Sequence, residues 1–255
     1  MHRTDFKLLL ISFFIWVVAA GNGFAAESIE IVRADGNVVV KQAGQKDRSV
    51  GSVSILPSTH TLVTGPNGRA VIRIGDSGYI IVEKNSTIEV SRKNDHADFF
   101  RQITGMIYYA MNALRRAQPP IEVKMSAATL GIRGTRFLVT DLPDRKEVGM
   151  RKGMISVTSL DKDFEIHRKA EQDEFEAFKQ EGKDAIAKEK LEFEEYKAKS
   201  QREFIEYKRE FSLGANRMAT FDGKRVEDRP LSEESKKDME TLEDYGKKWI
   251  AEVRD

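Results

Sequence analysis

The feature that most constrains this chain is a succession of short β-branched runs, each closed by a glycine-containing turn. Ile29 and Ile31 alternate with polar neighbours, and Asp35-Gly36-Asn37 reads as a hairpin turn ahead of Val38 and Val40. Leu62, Val63 and Thr64, the turn Gly65-Pro66-Asn67-Gly68, and then Ala70, Ile72 and Ile74 read as a second hairpin, with Arg69 and Arg73 on its outer face. Gly75-Asp76-Ser77-Gly78 leads to Ile80 and Val82, and Asn85-Ser86 leads to Ile88 and Val90. Ile121, Val123 and Met125 alternate, as do Val148 and Met150, and Ile155 and Val157. Such spacing predicts a sandwich or a solenoid-like stack. Residues 97–118 stay open, because an apolar run such as that from Phe99 to Met111 fits a strand or a short helix.

Composition divides the 255 residues further. Residues 1–25 have the layout of a secretory signal peptide: His2, Arg3 and Lys7, an apolar run over 8–20, then small residues with cleavage after Ala25. The apolar run is shorter than the roughly 20 residues that span a bilayer, so removal is expected over anchoring. This places the product in the periplasm or outside the cell, and membrane contact arises only if the signal is uncleaved. Residues 26–160 form the β-rich part. Residues 161–211 carry 28 charged residues in 51, and 212–255 begin as strand and turn before a polar helix. The chain has no cysteine, which excludes disulfide scaffolds, thiol catalysis and cysteine-ligated metals. Its formal charge of +1 gives no polyelectrolyte character, so nucleic acid is not an expected partner.

The stretch Thr129-Leu130-Gly131-Ile132-Arg133-Gly134-Thr135-Arg136-Phe137-Leu138-Val139 resembles the A-x-x-G-V-R-G-T-x-F-x-V signature of FecR domains. Leu62 to Gly65 with Arg69 to Ile74, Ile121 to Ala128, and Val148 to Val157 are similar to the flanking patterns of that family. The resemblance covers about 130 residues. It implies an extracytoplasmic β module of the kind found in sigma-factor regulators and many exported proteins. Those regulators carry a cytoplasmic anti-sigma segment, which an apolar run this close to the start leaves no room for, so the resemblance does not by itself imply direct sigma-factor control. The motif residues Gly131, Arg133, Gly134, Thr135 and Phe137 read as structural: glycines for a tight corner, Arg133 bonding turn carbonyls, the Thr135 hydroxyl fastening the loop, and Phe137 entering the core. An arginine between glycines is also a potential anion nest.

In the charged segment Glu174-Phe175-Glu176-Ala177-Phe178-Lys179 recurs as Glu192-Phe193-Glu194-Glu195-Tyr196-Lys197 and as Glu203-Phe204-Ile205-Glu206-Tyr207-Lys208. Offsets of 18 and 11 residues are whole numbers of helical turns. They predict a long charged helical arm with an aromatic stripe from Phe164 to Phe211. It is either one helix or a hairpin bent near Gly182, and the unbroken phase favours the single helix. Phe175, Phe178, Phe193, Tyr196, Phe204, Tyr207 and Phe211 are the expected contact residues. A second helix over 232–253, capped by Ser232, is expected to cover part of that stripe with Met239, Leu242, Tyr245, Trp249 and Val253. A second copy, another envelope protein or the β-part would cover the rest.

No residues of the sequence form a recognisable cofactor or metal site: His60, His96 and His167 are far apart and none has a helical zinc partner. Residues 27–160 hold 19 basic and 13 acidic residues; Arg115, Arg116, Lys124, Arg133, Arg136, Arg145, Lys146, Arg151 and Lys152 contribute to the excess and suit an anionic envelope polymer or a solvated surface. The expected fold is mainly β with a helical arm and a C-terminal helix. The expected function is an exported, non-enzymatic binding, scaffold or signalling module acting through protein or envelope-polymer contacts, with self-association in reach. The alternatives are a holdase-like chaperone with a coiled-coil arm and a hydrolase using one of the histidines.

Overall fold

The computed structural model describes residues 28–50, 54–93, 97–113, 121–168 and 204–253. Their strands form two sheets packed face to face. One sheet, A, runs in spatial order β4 (Ser54–Ile55), β1 (Ile29–Asp35), β6 (Arg69–Ile74), β7 (Gly78–Val82), the second half of β9 (Ala97–Met111), β12 (Arg136–Asp141), β13 (Lys146–Lys152), β18 (Arg217–Asp222), β19 (Arg225–Pro230), β15 (Phe164–Arg168) and β16 (Phe204–Lys208). The other, B, runs β3 (Arg48–Ser49), β2 (Val38–Lys41), β5 (Thr61–Thr64), β8 (Thr87–Lys93), the first half of β9, β10 (Ile121–Lys124), β11 (Ala128–Ile132), β14 (Met154–Ser159) and β17 (Glu210–Gly214). Pairing is antiparallel except for β9 with β10 and β15 with β19. The expected sandwich is present, and the ambiguous run at residues 99–111 is strand.

The chain changes sheet every one or two strands, and this corrects two sequence expectations. Asp35-Gly36-Asn37 joins β1 of sheet A to β2 of sheet B, which do not pair. Gly65 to Gly68 likewise carries β5 in sheet B to β6 in sheet A. The sequence pattern of each fits a hairpin, and each is a corner between the sheets. A glycine turn reverses the chain equally well within a sheet or between two, so alternation alone does not say which. Gly75 to Gly78 is a true hairpin, pairing β6 with β7.

Alternating side chains fill the space between the sheets. Sheet A contributes Ile31, Ile72, Ile80, Ile107, Tyr109, Phe137 and Val148; sheet B contributes Val40, Leu62, Ile88, Phe100, Val123, Leu130 and Val157. The outer face of sheet A is apolar too. Val71, Ile81, Tyr108, Ala110, Leu138 and Met218 lie there under the helix α1 (Glu233–Ile250), which sets Met239, Leu242 and Ile250 on them. Strands buried on both faces need continuous apolar runs, and β7 is such a run, with all five residues buried. The Ser232 hydroxyl caps α1 by accepting the Ser235 N–H at 3.2 Å, Glu233 and Glu234 lie in its first turn, and Lys247 and Lys248 in its last.

The helical arm is corrected at both ends. Phe164 and His167 lie in β15, Phe204 and Tyr207 in β16, and Phe211 in β17. Arg168 stands in register with Phe204, so the chain returns beside the place where it left and no single rod runs from 164 to 211. Two-residue alternation was available at each end: Phe164 and Ile166 are buried on one side of β15, and Phe211 and Leu213 on one side of β17. Phe175, Phe178, Phe193 and Tyr196, with the other residues of 169–203 and the leader of 1–25, lie outside the described residues. Helix α1 covers sheet A, not an aromatic stripe.

Candidate functional site

The Gly131 to Phe137 segment is the corner that carries the chain from β11 in sheet B to β12 in sheet A. Gly134 has φ of +67°, and a Cβ there would come within 2.8 Å of the Ala113 backbone, so the corner needs a residue without a side chain. Arg133 stands exposed at the tip. Thr135 is buried, and its carbonyl accepts the Met111 N–H at 2.9 Å; among the described residues its hydroxyl has no hydrogen-bond partner. The backbone thus does the fastening that the sequence assigned to the hydroxyl. Phe137 is fully buried and stacks on Tyr109, ring centroids 4.8 Å apart and planes 8° from parallel.

Residues 60–156, from just before β5 into β14, match the family model described as FecR protein. That segment of the chain is similar to a FecR domain. Two solved structures are similar to it, both of a candidate anti-sigma factor from Parabacteroides distasonis ATCC 8503. One, at 1.65 Å, has 10% identity and a TM-score of 0.46, covering 72% of this chain and 64% of that one. The other, at 2.50 Å, has 10% identity and a TM-score of 0.42, covering 67% and 58%. The chain therefore spans less than two thirds of either. No curated protein matches it.

Strands outside residues 60–156 complete both sheets. Helix α1 is latched to sheet A by three phenol–carboxylate hydrogen bonds. The Tyr108 hydroxyl donates to Glu243 Oε1 at 2.5 Å, the Tyr245 hydroxyl donates to Asp35 Oδ2 at 2.8 Å, and Tyr79 donates to Glu252. Burial, then the Glu252 carboxylate, pushes the Tyr79 phenol up to about 12. Burial, then the facing carboxylate, also pushes Tyr108 and Tyr245 well up. Burial would raise the Asp35 carboxyl, but hydrogen bonds from Arg33 and Tyr245 outweigh it and hold it below its usual range. Arg33 lies 5.0 Å from the centre of the Tyr245 ring, and Arg69 5.5 Å. At the other end Arg145 reaches Glu234 at 2.8 Å, Asp238 at 3.1 Å and Glu147 at 3.3 Å.

With the middle of sheet A covered by α1, the outer face of sheet B is the broad face without a helix on it among the described residues. It presents Arg101 and Ile103 on β9, Glu122 and Lys124 on β10, and Thr129, Ser156 and Thr158 on β11 and β14. Ile103 is 49% exposed, and Lys124 Nζ sits 4.1 Å from the centre of the Phe99 ring. The reading of the sequence missed Phe99, Arg101 and Ile103. Their signal was the two-residue alternation with buried Phe100 and Gln102, hidden while the run was undecided between strand and helix.

Among the described residues Arg136, Arg145 and Arg151 are engaged with α1 rather than gathered with Lys124 on sheet B. Arg115 and Arg116 lie outside the described residues, Arg136 and Arg151 face the end and middle of α1, and Arg145 is held by three carboxylates. A cleft of about 750 Å³ opens at one end of the sandwich, between turn tips that include Asp144, Lys146, Asp161, Lys162, Asp222 and Lys224. Acids and bases alternate around it, which gives no selectivity for either sign. His60 bonds the Ser58 carbonyl oxygen at 3.1 Å next to β5, while His167 is buried against Glu165 at 2.9 Å in β15; His96 lies outside the described residues. Sheets B and A thus hold the two apart from any shared site. Among the described residues no group of three or more His, Cys, Asp or Glu could hold a metal, and no helix is long and apolar enough to cross a membrane.

Proposed function

We propose that this protein is an exported, non-enzymatic signalling module whose FecR domain binds another protein across the outer face of sheet B. The observation that carries the reading is the asymmetry of the two broad faces. A helix tied down by three phenols and by Arg145 covers the middle of sheet A, while sheet B leaves Arg101, Ile103 and Lys124 in solvent. The FecR match supports a signalling role, since that family is regulatory. The leader pattern of residues 1–25 supports export to the periplasm or beyond. The chaperone alternative rested on a rod through residues 164–211 and loses that support with β15, β16 and β17.

The test is site-specific photo-crosslinking in the cells that make the protein, with the probe at Ile103 or at Lys237 on the solvent side of α1. Adducts from position 103 and none from 237 are expected. Adducts at neither position, or equally at both, overturn the assignment of sheet B. The amino-terminal sequence of the exported product should begin at Ala26.

A further inference from the structure

The two ends of the sandwich treat their sheet edges differently. At the end formed early in the chain, β3 and β4 are two residues each, too short to template another strand. At the other end β16 is five residues long and, among the described residues, pairs with β15 alone. Its far edge offers backbone N–H and C=O groups. Its outward side carries Ile205, 45% exposed, and Tyr207, 66% exposed. Its core-facing side carries Glu206 opposite Ile166 and Lys208 opposite Phe164, the two joined within the chain by an ion pair at 2.6 Å that leaves Lys208 half exposed.

We propose that β16 is the seam of a two-fold dimer, pairing antiparallel with β16 of a second copy about Tyr207. The charges select both the occupant and the register. An axis normal to the sheet keeps the core sides of both copies on one side, so only residues of the same parity meet. Centring on Glu206 opposes two carboxylates, and centring on Lys208 opposes two ammonium groups; like charges directly opposite destabilise a strand pair. Centring on Tyr207 places Glu206 opposite the partner's Lys208, twice by symmetry, and brings the two exposed phenol rings side by side. Lysine on an edge usually repels other strands. Here the acid two residues earlier turns it into a recognition element for an identical edge. The proposal deepens the binding-module reading by naming a second copy as one partner, and it is separable from that reading.

The test is sedimentation equilibrium on the whole mature chain. A dimer is expected. Lys208→Glu, at a position whose side chain is 51% exposed, opposes two acids across the axis and should weaken the dimer roughly tenfold or more. The double variant Glu206→Lys with Lys208→Glu should restore it, with unchanged far-ultraviolet circular dichroism throughout. A monomeric parent chain, a dimer indifferent to Lys208→Glu, or a double variant that stays dissociated each overturns the proposal. A monomer that still crosslinks through position 103 leaves the signalling-module reading standing.

Discussion

Gly36 and the Asn67 carbonyl oxygen meet so closely that a Cβ on Gly36 would lie 2.0 Å from that oxygen. The contact is reciprocal between the two corners, because a Cβ on Gly68 would lie 2.1 Å from the Asn37 oxygen. The Gly65 N–H donates to that same Asn37 oxygen at 2.8 Å. Two corners far apart in sequence therefore interlock and fix where β1, β2, β5 and β6 leave one sheet for the other.

Gly36→Ala should cost about 2–4 kcal/mol in urea unfolding, combining a φ of +67° with a backbone clash. Gly44→Ala is the control. It shares a positive φ of +75° but has nothing within 4 Å, so it should cost only about 1 kcal/mol. Equal losses at the two positions would show that the interlock contributes nothing.

Phe137→Ala should lose about 3–5 kcal/mol, since it empties a fully buried site and removes the ring stacked on Tyr109. Tyr109→Phe keeps the ring and removes a hydroxyl that donates to Gln102 Oε1 at 3.2 Å. About 1 kcal/mol is expected from the same unfolding measurement.

Alkaline pH should loosen α1 first. A phenol whose folded value is raised is held neutral by the fold. Its stabilisation is complete below the ordinary value of 10.0 and is lost as pH rises towards the folded value, about 12 for Tyr79. Tyr108 and Tyr245 shift in the same direction. Asp35 acts oppositely: its lowered carboxyl stabilises above the ordinary 3.8, and that contribution fades as pH falls further. Chemical unfolding across the alkaline range should show the decline, and Tyr108→Phe should flatten it while costing about 0.5–1.5 kcal/mol at neutral pH. An unaltered alkaline slope would remove the phenols from the account.

Phe211 and Tyr207 were grouped as contact residues by their spacing, and the fold separates them. Phe211 is 4% exposed and packs edge-on against Phe164 at 5.7 Å, whereas Tyr207 lies in solvent. Phe211→Asp should therefore destabilise by about 4 kcal/mol or more, and Tyr207→Asp should stay within about 0.5 kcal/mol for the single chain. Thermal unfolding of the two variants, side by side, decides between this placement and a shared aromatic stripe.

Much of the sandwich was legible because burial follows a period of two. Ile29 and Ile31, Ile121 and Val123, and Ile155 and Val157 were assigned inward from alternation and are inward. Sheet membership was not legible, since Gly36 serves a corner with the same backbone freedom that a hairpin needs. The end of the chain was readable in detail: Ser232, two acids and an apolar face specify α1. What α1 covers is not, because an apolar helix face does not name its target, and Val71, Ile81 and Leu138 stand between the alternating residues that mark the inner face. At Phe164 and Phe211 a helical and a strand period coincide, and the neighbours Ile166 and Leu213 decide for the strand. Of the candidate surface, Lys124 was noted for its charge, while Phe99 and Ile103 waited on the assignment of β9.

The rung between Arg168 and Phe204 has a consequence for how this gene can change. The β15–β16 pairing sets those two positions side by side, and closure entropy rises slowly with the number of residues between them. Lengthening the chain between them therefore adds little to the entropic cost of closing that rung, which makes this junction a place for an engineer to seat a reporter or a tag.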